Sequence, residues 1–166
     1  YQSLFDIESA DTALTLYSKC TKEGVALLLQ LLETASRDEN AIPLLPQDLT
    51  RRQYFGKEVP ENGRVKWSRQ AREIVNLARA CDYYPFPSPW GYPRARLGER
   101  EIGVVKARLT GESCNESPGT IGRLSGTSIQ VACADEWIWV DKALIEGTYL
   151  PAAGILRPGA RLYNGI

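Results

Sequence analysis

The chain has 166 residues, 43% of them hydrophobic and 24% charged, and its twenty basic residues balance twenty acidic ones for a net charge of zero. This is globular composition, enough for one domain or for a small domain and part of another, and it lacks the excess of Lys and Arg on which obligatory binding to nucleic acid or an anionic membrane depends. Histidine is absent and Cys20, Cys81, Cys114 and Cys133 form no CxxC pair, which excludes Ser-His and zinc-His chemistry on this chain and argues for reduced thiols.

The first residue is Tyr1 rather than Met, so the sequence is expected to start inside something longer. Tyr1 to Ile7 alternates in polarity and is expected to be the end of a strand. Ala13, Leu16, Tyr17 and Cys20, continued by Leu27, Leu28, Leu31 and Leu32, carry the apolar spacing of an amphipathic helix. Ser9 or Asp11 is expected to cap that helix, Gly24 to allow a bend, and Ser36 to Asn40 to form its polar exit. Its longest apolar run, Val25 to Leu32, is interrupted by Gln30 and falls well short of the roughly 20 residues that span a bilayer, so no membrane partner and a cytoplasmic location are expected.

Pro43 to Pro60 contains three prolines and leads into the charged residues Arg51, Arg52, Lys57, Glu58 and Glu61, a pattern that reads as an extended linker. Ser68 is expected to cap a second helix with Ile74, Leu77, Ala78 and Cys81 on one face, stopped by the run Pro85 to Pro93. Beyond Pro93 the period becomes that of strands. Ile102 to Ala107 is rich in valine, Ile129, Val131 and Cys133 alternate with Gln130 and Ala132, and Trp137 to Val140 follow a turn. Short strands separated by Gly and Pro predict a small antiparallel barrel.

Three segments carry a family resemblance. YQSLFDIESADTALTLYSKC, from Tyr1 to Cys20, resembles the close of the catalytic domain of 10-formyltetrahydrofolate-dependent formyltransferases, with Gln2 on a strand and Asp11, Thr12 and Ala13 opening a helix. Tyr54 to Ala80 resembles that family's linker and following helix through Pro60, Gly63, Trp67, Asn76, Arg79 and Ala80, while Asn62 and Lys66 stand where the family usually has acidic residues. Pro118 to Leu162, with PGTIGRL and the closing PGARL, is similar to the family's C-terminal barrel.

The resemblance implies an α+β architecture: residues 1–40 as the end of a Rossmann-like catalytic domain, 41–66 as linker, and 67–166 as an OB-like barrel with a leading helix. It implies an enzyme that moves a formyl group from 10-formyltetrahydrofolate to a primary amine, with an Asn-His-Asp catalytic set in an N-terminal domain. In that pattern the Asp falls just before Tyr1, so no catalytic and no cofactor-binding residue is expected here and the chain alone is expected to be inactive. The Tyr54-Phe55-Gly56 triplet leans toward amino sugars or other small amines as acceptors. A methionyl-tRNA acceptor is the competitor, disfavoured by the balanced charge. A noncatalytic binding module is the alternative of a different class.

Arg64, Trp67 and Trp90 are the candidate substrate contacts, Trp67 alternatively serving as an anchor between linker and domain. Tyr83 to Pro93 is either a stacking surface or a stiff cover for the barrel. Arg51, Arg52 and Lys57 are candidate phosphate contacts or a solvated linker. Asp6, Glu8 and Asp11 offer either a base or helix capping, of which capping is the commoner role. Lys22, Lys57, Lys66, Lys106 and Lys142 are scattered along the sequence, and no metal site is expected.

Overall fold

Residues 1–56 and 58–165 are described by the computed structural model, and the chain divides after Glu58 into two units, Tyr1–Glu58 and Val59–Ile166. The first is built on helix α1, Ala13–Arg37, which runs through Gly24 without interruption. Its N-cap is Thr12 rather than Ser9 or Asp11. The Thr12 hydroxyl accepts from the Thr15 N–H, and the Thr15 hydroxyl accepts from the Thr12 N–H at 2.9 Å, a reciprocal arrangement that satisfies first-turn donors. Asp38 ends the helix, its N–H bonded to the Thr34 carbonyl.

The strand expected over Tyr1 to Ile7 does not form, because a strand needs a neighbouring backbone ladder and none pairs with this segment among the described residues. The Tyr1 hydroxyl bonds to Thr34 Oγ1 at 2.6 Å, and the Ser3 hydroxyl donates to the Glu23 carboxylate at 2.6 Å. Leu16, Leu27 and Leu31 are half-buried, whereas Tyr17, Val25, Leu28, Leu29 and Leu32 are exposed. Beyond Asp38 the backbone makes two single turns, Glu39–Ala41 and Leu49–Arg51, opened by the carboxylates of Asp38 and Asp48.

The second unit starts with the turn Pro60–Gly63 and helix α2, Ala71–Cys81, followed by seven strands: β1 Arg94–Leu97, β2 Arg100–Ser113, β3 Ile121–Ser125, β4 Ser128–Ala132, β5 Glu136–Ile145, β6 Thr148–Pro151 and β7 Tyr163–Asn164. A short helix, α3 Ala152–Ile155, precedes β7. The strands pair antiparallel in the order β3-β4-β5-β2-β1-β7, and β6 follows β4 along the same edge of β5. The sheet curls until its ends meet. β7 pairs with β1, while just before it Ile121 N–H donates to Ala160 O and Leu162 N–H to Gly119 O, at 2.9 and 2.8 Å. Joining the ends leaves little free strand edge.

The core of this unit lies between α2 and the concave side of the sheet: Val65, Trp67, Ile74 and Ala78 meet Ile102, Val104, Ile121, Ile129, Val131, Ile138, Val140, Leu156 and Leu162. A second cluster joins Cys81, Tyr92 and Val105 with Tyr84, Leu144 and Tyr149. Val104 and Val105 are neighbours buried in different clusters because successive side chains of a strand point to opposite faces of the sheet. In β4 the expected alternation fails, since all five residues are buried. Gln130 is covered as well, its amide donating to the Glu112 carboxylate at 3.1 Å.

Helix α2 starts later than its sequence suggests, at Ala71, with Gln70 rather than Ser68 as its N-cap. Its first-turn donors find two acids. The Glu73 carboxylate accepts from the Gln70 N–H at 3.3 Å, and Asp135, from the turn before β5, accepts from the Ala71 N–H at 2.8 Å.

Candidate functional site

The turn Pro60–Gly63 separates two clefts on the second unit. Glu61, Asn62 and Gly63 all have positive φ, at 55°, 55° and 72°. Non-glycine residues pay for this conformation in steric strain, least so Asn and Asp, whose short side chains bond locally. Asn62, which stands where the resemblance leads one to expect an acid, is among the residues that tolerate this conformation best. Lys66, the other departure, has an ion-pair partner within the turn: its ammonium lies 2.5 Å from Glu61, which also binds Arg69. These hydrogen bonds, Lys66 first and Arg69 second, hold the Glu61 carboxyl below its ordinary range.

The smaller cleft, about 320 Å³, has Pro60, Ile74, Leu77 and Ala80 as its apolar wall and Glu61, Arg64, Lys66, Arg69, Glu73 and Asn76 as its polar one. Arg64 Nε is buried there, with no hydrogen-bond partner among the described residues. A buried guanidinium N–H left unpaired is costly, so the group is suited to an incoming acceptor. Three residues of the family pattern, Pro60, Asn76 and Ala80, line this same cleft.

The larger cleft, about 740 Å³, lies on the other side of the turn, among Val59, Asn62, Gly63, Trp90, Tyr92, Arg94, Arg100, Glu101 and Glu146. Trp90 is 50% exposed at its edge. Arg94 is engaged, bonding the Asn62 carbonyl at 2.9 Å and facing Glu101 at 3.7 Å.

The three candidate contacts are thus not brought together. Arg64 lines the smaller cleft and Trp90 the larger. Trp67 is a core residue, 1% exposed, its N–H bonded to Asn164 Oδ1 at 3.2 Å and its ring against Gly119. Its indole Nε1 is buried without a partner among the described residues. It holds the 59–66 segment to the sheet, in keeping with the anchoring alternative, and its ring is buried, as the amount of apolar surface a Trp must hide leads one to expect.

The loop Tyr83 to Pro93 divides between the two roles its composition allows. Tyr84 and Tyr92 cover the sheet, each edge-on to Tyr149 with centroids 5.5 and 5.9 Å apart, and burial raises the Tyr92 phenol. Phe86 and Trp90 are exposed. Sequence reading passed over Tyr149, which stands alone between Thr148 and Leu150 and enters this aromatic group only through the β5–β6 pairing.

Among the acids of the first unit, Asp11 is structural. Its carboxylate accepts from Lys19 Nζ at 2.8 Å, the Glu8 N–H at 2.8 Å and the Thr15 hydroxyl at 2.9 Å. The Lys19 bond first, and the Glu8 amide second, lower its carboxyl to about 2, the opposite of what a base near neutrality needs. Arg51 and Arg52 are exposed, Arg52 resting 4.5 Å over the Tyr54 ring, and Lys57 lies outside the described residues. Cys20 is exposed and the other three thiols are buried and free; burial, with Asp135 nearby, pushes Cys133 up to about 12. Among the described residues no group of three His, Cys, Asp or Glu side chains could hold a metal, and no helix is long and apolar enough to cross a membrane.

The fold has a relative among solved structures. HypX from Aquifex aeolicus, solved in complex with tetrahydrofolic acid, is similar at a TM-score of 0.57 and 18% identity over 80% of this chain. The likeness is one of fold, and the chain spans only 22% of that protein's length. Residues 58–156, more than half of the chain, match the family described as the formyl transferase C-terminal domain, and the match begins one residue before the second unit does. From the turn at Pro60 to the end of α3, this chain belongs to the formyl transferase C-terminal domain family.

Proposed function

We propose that this chain is the C-terminal part of an N-formyltransferase that moves a formyl group from 10-formyltetrahydrofolate to a primary amine, with an amino sugar or another small amine as the acceptor. The observation that carries the reading is the family match over residues 58–156. Similarity in fold to a chain solved with tetrahydrofolic acid supports a folate cosubstrate. The balance of twenty basic against twenty acidic residues supports a small acceptor over initiator tRNA, which calls for a basic surface.

Helix α1 supports assigning residues 1–40 to the end of a catalytic domain. Val25, Leu28, Leu29 and Leu32 are exposed on it, and an apolar stripe of that kind is suited to burial against a further surface. In the transfer the amine nitrogen bonds to the formyl carbon, the bond from that carbon to the folate nitrogen breaks, and a base takes the amine proton. The reading gives these tasks to an Asn-His-Asp set outside this sequence. Residues 41–66 are then the linker, and the curled sheet is an OB-like barrel in which Arg64 and Trp90 meet parts of the acceptor remote from the reacting amine. The location is cytoplasmic.

The test supplies the intact protein with 10-formyltetrahydrofolate and, separately, nucleotide-linked amino sugars, simple amines and methionyl-tRNA, and follows tetrahydrofolate. Release with a small amine, and none from the 166-residue chain alone, is expected. Release only with methionyl-tRNA overturns the acceptor assignment. No release with any acceptor overturns the enzyme reading and leaves a binding module with two clefts.

A further inference from the structure

We propose that Lys106 and Lys142 form a binding site for a compact oxyanion, a phosphate ion or the phosphoryl group of a small monoester, beside Tyr84. The two lysines are 36 positions apart in sequence but are register partners across β2 and β5. Like charges directly opposite each other on a sheet are destabilising, and an anion placed between two ammonium groups offsets that repulsion by Coulomb attraction to both. Both ammonium groups also sit on one ring: Lys142 Nζ is 4.0 Å and Lys106 Nζ 5.5 Å from the Tyr84 centroid. The two nitrogens are therefore no farther apart than the sum of those distances.

The same two strands show what a neutralised cation looks like. Arg108, two residues along β2, meets the Asp141 carboxylate of β5 at 3.3 Å. Among the described residues no carboxylate lies within ion-pair distance of Lys106 or Lys142. Tyr84 attracts each cation through its ring but carries no charge, so two positive charges remain, together with ammonium N–H donors that the ring does not use.

The site is also held in place. Asp82 accepts from the Tyr84 N–H at 2.9 Å, and Tyr149 meets the Tyr84 ring edge-on. Lys106 is exposed and Lys142 half-buried, so a ligand reaches both from solvent. Lysines act as point charges without the planar fork that matches a single carboxylate, and two of them balance a dianion, which favours phosphate over a monocarboxylate.

Titration of the 166-residue chain with inorganic phosphate, glucose 6-phosphate and acetate at constant ionic strength, read by NMR and calorimetry, tests the site. Saturable binding of phosphate or the monoester is expected, with acetate weaker. Lys106→Gln and Lys142→Gln should each weaken it by about tenfold, the effect of losing one charge-assisted hydrogen bond, while Lys22→Gln leaves it unchanged. Tighter binding of the monoester assigns the ester as occupant, and equal binding assigns the ion. Absence of saturation, equal binding of acetate, or binding indifferent to both substitutions overturns the proposal.

Discussion

Asp135 caps helix α2 from 64 positions away: its carboxylate accepts a hydrogen bond from the Ala71 N–H at 2.8 Å, and the Ala134 N–H next to it donates to the Arg69 carbonyl at 3.1 Å. The turn before β5 therefore fixes where α2 begins and ties the helix to the sheet. An acid at this end also meets the positive end of the helix dipole.

Replacing Asp135 by Ala is expected to destabilise the second unit by about 1 kcal/mol, the usual cost of a lost N-cap acceptor. Asp135→Asn, which keeps an acceptor and loses the charge, should cost less. Urea unfolding of the three proteins measures both differences.

Gly119 is the tightest point of the joined sheet. Its φ is +87°, and a Cβ there would stand 2.1 Å from the Leu162 carbonyl oxygen. Gly119→Ala is expected to cost at least about 2 kcal/mol, from left-handed strain and from loss of the close approach that joins the sheet ends. Gly24, inside α1 with open space around it, supplies the contrast: Gly24→Ala should increase helicity and stabilise α1 by about 1 kcal/mol. Circular dichroism and thermal melts report both.

The tryptophans separate packing from surface roles. Trp67→Ala should cost about 3–5 kcal/mol as a core truncation. Trp67→Phe should cost less, because it also removes the unpartnered buried Nε1–H. Trp90→Ala should change stability by less than about 0.5 kcal/mol, as expected of an exposed side chain. Equal losses at the two positions in chemical denaturation would contradict this division.

Asp11 sets the acid limit of the α1 start. Its folded value of about 2 lies below its ordinary 3.8, so its contribution is fully present above the ordinary value and is lost as pH falls through the folded one. Carboxyl NMR titration should give a midpoint near the folded value, and Lys19→Gln, which removes the largest cause, should raise it. Helicity at the start of α1 should fall over the same acid range.

Much of the second unit was legible because strand and helix periods write themselves into the order of apolar residues. Ile74, Ala78 and Cys81 mark the buried face of α2, and Ile102 to Ala107 and Trp137 to Val140 mark β2 and β5. What failed was whatever depended on a distant partner. The local sequence points to Ser68 as the α2 cap, while a main contributor is Asp135. Gln130 has the polarity of an outward residue and is buried because Glu112 reaches it from another strand. Tyr1 to Ile7 has the alternation of a strand without a ladder to join.

The candidate sites divide in the same way. By itself the sequence determined the family, the helical and strand segments, the lack of histidine and the unusual aromatic loop, all properties of residue identity and spacing. Only the tertiary structure decided that Trp67 is core while Trp90 is surface, that the Arg64 Nε is buried unpaired beside a cleft, and that Lys106 and Lys142 face each other beside Tyr84. The reason is physical. Burial, pairing and electrostatic environment are set by neighbours that meet through strand register and turn geometry, and a register that slips at Val104/Lys106 is not written in either residue.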